Sequence, residues 1–202
     1  MMILRSAPAS PFARKCRMAA IILGLDSEIR IDPADTTNPA DSLRQQNPLG
    51  KIPILITEDG NALYDSRVIV EYLDSRAGGG RIIPKEPGAR FAALRLAALA
   101  DGIMDASLLQ VYEGRYRPAE KHEQKWIDMQ ADKVARGLAA LEAAPPALAA
   151  VPTVGEIGVA CALGYLDLRF GGKWRAGHPK LTAWLERFAA QAPSFDATKA
   201  PA

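Results

Sequence analysis

Cysteine and histidine are scarce in this chain of 202 residues, which contains two of each. Cys16 and Cys161 lie far apart and form no CxxC motif, so the sequence indicates neither a disulfide framework nor a zinc site. His122 and His178 are isolated from one another, and no role is assigned to either. We therefore expect a protein of a reducing compartment that works without a metal ion.

An excess of one charge and long apolar runs are also missing. Lysine and arginine number 25 against 23 acidic residues, a balance that does not suggest nucleic acid as a partner. No window reaches the roughly 20 apolar residues of a membrane-spanning helix, and the first apolar run is too short for a secretory signal. Hydrophobic residues make up 49% of the chain and charged residues 24%, as in globular proteins. We expect a cytoplasmic protein without a membrane segment.

The first part of the chain alternates strand and helix signals. Strands are predicted over residues 2–6, 28–31, 52–56 and 62–64. Helices are predicted over residues 12–23, around residues 42–46, and from Asp65 and Ser66 onward. Asp59 and Gly60 form a tight turn, so the last two strands must be antiparallel. The predicted order is β-α-β-α-β-β-α, a small α/β domain.

A stretch rich in glycine and proline then interrupts the chain at residues 78–88, which we predict to be a linker. No strand pattern follows it. Four helices are predicted, over residues 90–112, 120–144, 153–170 and 179–191. The sequence therefore predicts two domains, an α/β domain at residues 1–77 and an all-helical domain at residues 89–202.

Three positions in the first domain carry possible chemistry, and each has a plain structural alternative. Pro53, just inside an apolar strand, is either an edge-strand proline or the cis proline that in thioredoxin-like domains frees the preceding backbone for a peptide. Asp65 and Ser66 either cap a helix or bind an α-amino acid group at its start. Ser10, before Pro11, is either a helix cap or a hydroxyl that donates to a thiolate.

Together these positions resemble the glutathione transferase family. The segments that carry the resemblance are Ser-Pro-Phe-Ala-Arg-Lys at 10–15, Asn-Pro-Leu-Gly-Lys-Ile-Pro-Ile-Leu at 47–55, and Leu-Tyr-Asp-Ser-Arg-Val-Ile at 63–69. The second is the most specific, and the likeness covers essentially the whole chain. It implies a thioredoxin-like N-terminal domain with a mixed four-stranded sheet, followed by an all-helical C-terminal domain.

A fourth segment, residues 153–160, is similar to the capping box that opens the buried core helix of this family. Thr153 is placed to cap the amide of Glu156, and the Glu156 side chain to reach back to the amide of Thr153. The family usually has aspartate where this chain has Glu156.

The resemblance implies a site for glutathione as a co-substrate. The backbone of Ile52, before a cis Pro53, would pair with the cysteine of glutathione. Lys51 would reach its glycine carboxylate, and Asp65 and Ser66 would hold its γ-glutamyl end.

Ser10 would face the glutathione sulfur, but it has the side chain of the serine-type members at the position used by the cysteine-type members. In many serine-type members the active hydroxyl lies two residues before the proline, where this chain has Ala9. In the cysteine-type members that resemble glutaredoxins, the active residue directly precedes Pro-Phe, as Ser10 does. A serine cannot form a mixed disulfide, which favours activation of a glutathione thiolate over thiol–disulfide exchange.

A pocket for a hydrophobic electrophile is expected between the two domains, as ligand sites often are. The predicted lining residues are Phe12, Met104, Leu108, Tyr112, Tyr116 and Trp174. An aromatic and methionine stripe at helical spacing fits a pocket wall and plain core equally well. The identity of the electrophile does not follow from these residues.

The implied protein is a homodimeric glutathione transferase with a role in detoxification. The first domain of one subunit would pair with the second domain of the other through the apolar face of residues 90–112, and Asp101 or Asp105 would complete the partner's glutamyl site. Two alternatives stay open, a non-catalytic binding or regulatory module and a glutathione-dependent lyase, reductase or isomerase. The isomerase branch typically has paired serines and a Trp-Arg-Val-Arg run, and this sequence has neither.

Overall fold

The computed structural model describes residues 1–201, and the chain begins with a four-stranded sheet. The strands are β1 (Met2–Ser6), β2 (Ile29–Pro33), β3 (Ile54–Ile56) and β4 (Ala62–Leu63). Their order is β2-β1-β3-β4, with β1 parallel to β2 and antiparallel to β3, and with β3 antiparallel to β4. This mixed sheet confirms the predicted thioredoxin-like fold, including the antiparallel final pair.

Helices cover both faces of the sheet. They are α1 (Pro11–Leu23), α2 (Leu43–Gln46) and α3 (Ser66–Arg76). Successive side chains of a strand point to opposite faces, so Leu55 packs with residues of α1 and α3 while Ile54 packs with Leu43 of α2. Strand β3 begins two residues later than predicted because Pro53 has no N–H for the ladder. The sheet is thereby the middle layer of the N-terminal domain.

The rest of the chain is helical, as predicted. Its helices are α4 (Pro87–Tyr116), α5 (Gln124–Ala143), α6 (Val154–Phe170), α7 (Pro179–Gln191) and the short α8 (Ser194–Ala197). One-turn 3₁₀ helices occur at Asp26–Glu28 and Ala119–Lys121, and a third runs over Lys173–Gly177. None of the helices within residues 1–201 combines the length and the apolar character needed to cross a membrane.

Helix α6 is the centre of the helical domain and is buried over most of its length. The capping box predicted at its start is present. Thr153 Oγ1 accepts from the Glu156 amide at 3.5 Å, and Glu156 Oε2 accepts from the Thr153 amide at 2.7 Å. Gly155 lets α6 approach α4 closely, because a Cβ atom there would lie 2.7 Å from the carbonyl oxygen of Ala93.

The segment between α3 and α4 forms hydrogen bonds with both the N-terminal domain and the helical domain. The buried carboxylate of Asp74 accepts hydrogen bonds from the amides of Gly80, Arg81 and Ile82, at 2.7 to 2.9 Å. The carbonyl of Ile82 accepts from the amide of Val154 at the start of α6, at 2.8 Å. The predicted linker is therefore a packed segment, and its last two residues belong to α4. The domain limits at residues 77 and 89 stay a prediction.

Candidate active site

A cavity of about 830 Å³ lies between the loops at one edge of the sheet and the helices α4 and α6. This volume is within the range of small-molecule sites. Ten of the predicted site residues line it: Ser10, Phe12, Lys51, Ile52, Pro53, Asp65, Ser66, Leu108, Tyr112 and Tyr116. The structure therefore brings the predicted glutathione residues and part of the predicted electrophile pocket to one cavity.

Ser10 lies at the cavity where α1 begins. Its backbone is extended and its Oγ accepts a hydrogen bond from the Ala13 amide at 3.2 Å, so it is the N-cap of α1. Pro11 occupies the first helical position, where a missing N–H costs nothing. A hydroxyl that accepts one hydrogen bond still has its own O–H to donate. The capping role of Ser10 is thus compatible with donation to a ligand in the cavity.

The loop before β3 is shaped by Asn47, which sequence reasoning placed in a motif without a role. Asn47 is buried, its Nδ2 donates to the Lys51 carbonyl at 2.9 Å, and its Oδ1 accepts from the Leu49 amide at 3.0 Å. Gly50 turns the chain with a φ of 61°. The Ile52–Pro53 bond that follows is cis. Asn47 therefore holds the loop that presents Lys51 and Ile52 to the cavity.

The third predicted element of the site is the start of α3. Asp65 Oδ1 accepts from the Arg67 amide at 2.8 Å, which makes Asp65 the N-cap. The Tyr64–Asp65 bond before it is also cis. The Asp65 side chain is 62% exposed, and its Oδ2 lies 4.0 Å from Arg67 Nη1. Ser66 is buried beside it at the first helical position.

A buried ion-pair cluster, which no spacing in the sequence signals, joins three helices beneath this site. Lys15 Nζ of α1 lies 2.6 Å from Asp101 Oδ1 of α4, and both side chains are almost fully buried. Arg67 Nε of α3 lies 2.9 Å from Asp101 Oδ2, a hydrogen bond that raises the pKa of Arg67. Both oxygens of Asp101 are thus engaged within its own chain, and Asp101 also lines the cavity, so its part in a partner's site stays a prediction. Asp105 lines the cavity, and its pKa is raised by desolvation and by the nearby Asp101.

The far wall of the cavity is built by α4 and α6. Tyr112 and Tyr116 contact edge to face, with ring centroids 5.1 Å apart. Arg115 Cζ lies 5.4 Å from the Tyr112 ring centroid, and Arg169 Cζ lies 5.8 Å from that of Tyr165. Arg115, Tyr165 and Arg169 also line the cavity and were missed from the sequence. No local signal marks Arg115 within α4, and Tyr165 and Arg169 lie on α6, which reaches the site only through its packing beside α4.

Two residues expected in the electrophile pocket lie elsewhere. Met104 has no exposed surface and packs in the main core, so at this position the methionine of the stripe is core. Trp174 is buried next to α6, where its Nε1 donates to Asp167 at 2.8 Å. That hydrogen bond and the Arg175 guanidinium, 4.9 Å from its ring, hold the indole away from the cavity. Met104 and Trp174 are therefore removed from the pocket lining.

The two cysteines are also core residues. Cys16 Sγ lies 3.8 Å from the Ser66 carbonyl oxygen, and Cys161 Sγ lies 3.4 Å from Met18 Sδ. Burial raises the pKa of Cys161 to about 12 and also raises that of Cys16. Both are therefore neutral thiols without nucleophilic character near pH 7. Within residues 1–201, no three His, Cys, Asp or Glu side chains are grouped in a way that could hold a metal ion.

Comparison with known proteins gives consistent results over the whole chain. The family model of the glutathione S-transferase N-terminal domain matches residues 9–76, and that of the C-terminal domain matches residues 124–187. The uncharacterised GST-like protein YibF of Escherichia coli K12 is 34% identical over 197 residues, which are 95% of each chain.

Two solved structures of a glutathione transferase family member from Pseudomonas fluorescens Pf-5 match over 100% of both chains. The one with bound glutathione is 43% identical with a TM-score of 0.90, and the one with bound S-(propanoic acid)-glutathione is 44% identical with a TM-score of 0.89. The family models cover more than half of the chain and the solved structures its full length. This protein belongs to the glutathione transferase family.

Proposed function

We propose that this protein is a glutathione transferase, which binds glutathione in the cavity and activates its thiol for attack on an electrophile. The observation that supports this most is the convergence of Ser10, Lys51, Ile52, Asp65 and Ser66 on one side of a single cavity. They come from the start of α1, the loop before β3 and the start of α3. The family member from P. fluorescens was solved with glutathione bound, which supports the same ligand here.

The charges of glutathione match these groups one by one. Its γ-glutamyl carboxylate suits the start of α3 and the Ser66 hydroxyl, since a helix N-terminus attracts anions. Its ammonium suits the exposed carboxylate of Asp65, and its glycine carboxylate suits Lys51. The backbone of Ile52 can pair with the cysteine. In this pose the sulfur faces Ser10 and the start of α1.

Activation of the thiol is the chemical step that Ser10 would serve. A thiol ionises near pH 8.5, and lowering that value by roughly two units requires only about 3 kcal/mol. The positive end of the α1 dipole and one hydrogen bond from the Ser10 hydroxyl are of this order. The thiolate sulfur then forms a bond to an electrophilic carbon, and the electron pair leaves with a leaving group or moves into a conjugated carbonyl.

The alternatives predict different behaviour of the same site. A non-catalytic module has no need for a group facing the sulfur, whereas Ser10 lines the cavity. Thiol–disulfide exchange requires a mixed disulfide, which a serine cannot form and which the buried Cys16 cannot reach the cavity to form. The P. fluorescens relative binds glutathione that carries propanoic acid on its sulfur, which supports a site with room for a conjugate.

We further propose that the protein is a cytoplasmic homodimer. Its cysteines are both free, as in proteins of reducing compartments. Large apolar side chains are exposed on α3 and α4, where the second subunit would pack.

Titration calorimetry with reduced glutathione tests the proposed function. We expect saturable binding in the micromolar to millimolar range that is typical of enzyme substrates. Cysteinylglycine, which lacks the γ-glutamyl group, should bind much more weakly because Asp65 and Ser66 then have no ligand. Folded protein that shows no heat of binding would favour the non-catalytic module. Binding without conjugation of any electrophile, but with reduction of disulfides, would favour a reductase.

A further inference from the structure

The far wall of the cavity carries two guanidinium groups without an anionic partner. Arg115 of α4 and Arg169 of α6 line the cavity, and neither pairs with a carboxylate of residues 1–201. The Nε atom of Arg169 is buried and has no hydrogen-bond partner within that part of the chain. A buried donor without an acceptor is costly, so its position calls for an explanation.

The acidic residues closest in sequence are engaged elsewhere. Glu113 pairs with Arg117 and accepts from the Glu123 amide at 2.9 Å. Asp167 holds Arg175 at 2.6 Å and also accepts from Trp174. On the cavity side of α4, Asp105 lies ten residues before Arg115, about 15 Å along the helix axis. The two guanidiniums therefore keep their positive charge uncompensated.

The tyrosines around them add donors and no negative charge. Burial raises the pKa of both Tyr112 and Tyr165, so their hydroxyls stay protonated at neutral pH. The rings of Tyr112 and Tyr116 provide an apolar surface beside the guanidiniums. This wall therefore combines aromatic faces with two guanidiniums that have no carboxylate partner within residues 1–201, and the Nε atom of Arg169 has no acceptor there.

We infer that the second substrate is an electrophile that carries a carboxylate, and that Arg115 and Arg169 bind this group while Tyr112 and Tyr116 contact its apolar part. Arginine is suited to this task, because its planar guanidinium binds a carboxylate with two parallel hydrogen bonds. The inference rests on the proposed function. It narrows the class of the second substrate from any hydrophobic electrophile to an amphipathic acid.

A matched pair of electrophiles tests the inference, namely trans-4-oxo-4-phenyl-2-butenoate and its methyl ester. In each, the glutathione sulfur bonds to the alkene carbon β to the ketone, and the π pair moves to the ketone oxygen. The resulting enolate takes a proton from water, and the thiol proton has left to solvent. Nothing is oxidised, reduced or expelled. We divide kcat/KM of each substrate by the rate constant of its uncatalysed reaction with glutathione. This ratio should be at least roughly ten-fold higher for the acid than for the ester.

Substitutions then assign the selectivity to the two arginines. Arg169→Gln should lower kcat/KM for the acid by roughly ten- to a hundred-fold, mainly through KM, and should change that of the ester by less than about two-fold. Arg115→Gln should give a smaller loss with the same selectivity, because Arg115 is more exposed. Arg95→Gln removes a charge from an exposed position of α4 outside the cavity and should alter neither substrate.

Three outcomes would overturn the inference. Equal losses of kcat/KM for the acid and the ester would show that the arginines shape the cavity wall without binding the carboxylate. A rise in KM for glutathione, with the acid-to-ester ratio intact, would mean that they bind a carboxylate of glutathione. Equal affinity of the wild-type protein for the acid and ester conjugates, measured by calorimetry, would also contradict it, even if turnover is slow. If Arg169→Gln does not fold, Arg115→Gln decides the matter. Loss of glutathione binding itself would defeat the proposed function instead.

Discussion

At the scale of single residues, the Ser10 hydroxyl has one observed role, as the cap of α1, and one proposed role, as a donor to the glutathione sulfur. As an acceptor it caps α1 through the Ala13 amide, and as a donor it is available to a ligand sulfur. Capping fixes the hydroxyl oxygen at the cavity, so the stability of α1 and the orientation of the donor depend on the same atom. Substitutions that preserve one role and remove the other can separate the two contributions.

Ser10→Ala removes both roles, whereas Ser10→Thr keeps both. For Ser10→Ala we expect a loss of about 1 kcal/mol in the free energy of unfolding and a raised pKa of bound glutathione. A thiol with a raised pKa is less ionised at pH 7, so conjugation should slow by roughly ten- to a hundred-fold there and recover at alkaline pH. The pH–rate profiles of the wild type and both variants measure this. A pKa that does not move in Ser10→Ala would leave Ser10 with the capping role alone.

The site could be predicted where its residues lie at the ends of local elements. Ser10 and Asp65 each start a helix directly after a turn, and the sequence shows both signals. Arg169 is different, because it lies within the last turn of α6 and reaches the cavity only through the packing of two helices. For Met104 the prediction was wrong for the same reason. The sequence shows a stripe of aromatic and methionine residues along α4, but which side of α4 faces the cavity depends on where α6 packs.

At the scale of elements, the Lys15–Asp101 pair ties α1 to α4 and thus the sheet domain to the helical domain. A buried pair contributes little net stability compared with apolar residues of the same size, but removal of one partner leaves a buried charge without compensation. Arg67 cannot replace the missing partner of Lys15, since it is itself a cation. Removal of either Lys15 or Asp101 alone should therefore weaken the packing of α1 against α4.

Asp101→Asn should destabilise the protein by roughly 3–5 kcal/mol, because Lys15 stays buried without a carboxylate. Asp105→Asn is the matched control one turn further along α4, at a residue that forms no ion pair within residues 1–201, and it should change stability by less than about 0.5 kcal/mol. The double variant Lys15→Met with Asp101→Leu should recover much of the loss. Urea denaturation of the four proteins measures these values. Equal stability of the two single variants would show that the pair carries no such dependence.

The element order followed from the sequence, and most differences lie at element ends. Helix α4 starts at Pro87 rather than residue 90, because a proline fits the first helical position and Glu86 caps the amides of Gly88 and Ala89. The glycine and proline residues at the end of the predicted linker therefore indicate the start of a helix as well as an interruption of regular structure. Helix α5 starts at Gln124, four residues late, because Ala119–Lys121 forms a separate 3₁₀ turn. Periodicity identifies the helices, and local capping decides where they begin.

At the scale of the whole molecule, several large apolar side chains remain exposed on α3 and α4. Phe91 is 68% exposed and Val68 46%, and Leu99 of α4 is exposed to a lesser degree. Single exposed apolar residues are ordinary, but several on adjacent elements are typical of protein interfaces. Since α3 belongs to the first domain and α4 to the second, this surface is suited to the proposed pairing of unlike domains in a symmetric dimer.

Light scattering at micromolar concentration should therefore give the mass of a dimer. Phe91→Glu should shift the equilibrium to monomer, because a two-fold interface contains each substitution twice and burial of one phenylalanine contributes roughly 1.5–3 kcal/mol. Leu168→Glu places the same charge at an exposed apolar position of α6 and should leave the dimer intact. A dimer that survives Phe91→Glu would move the interface away from α4, and a monomeric wild type would contradict the proposal.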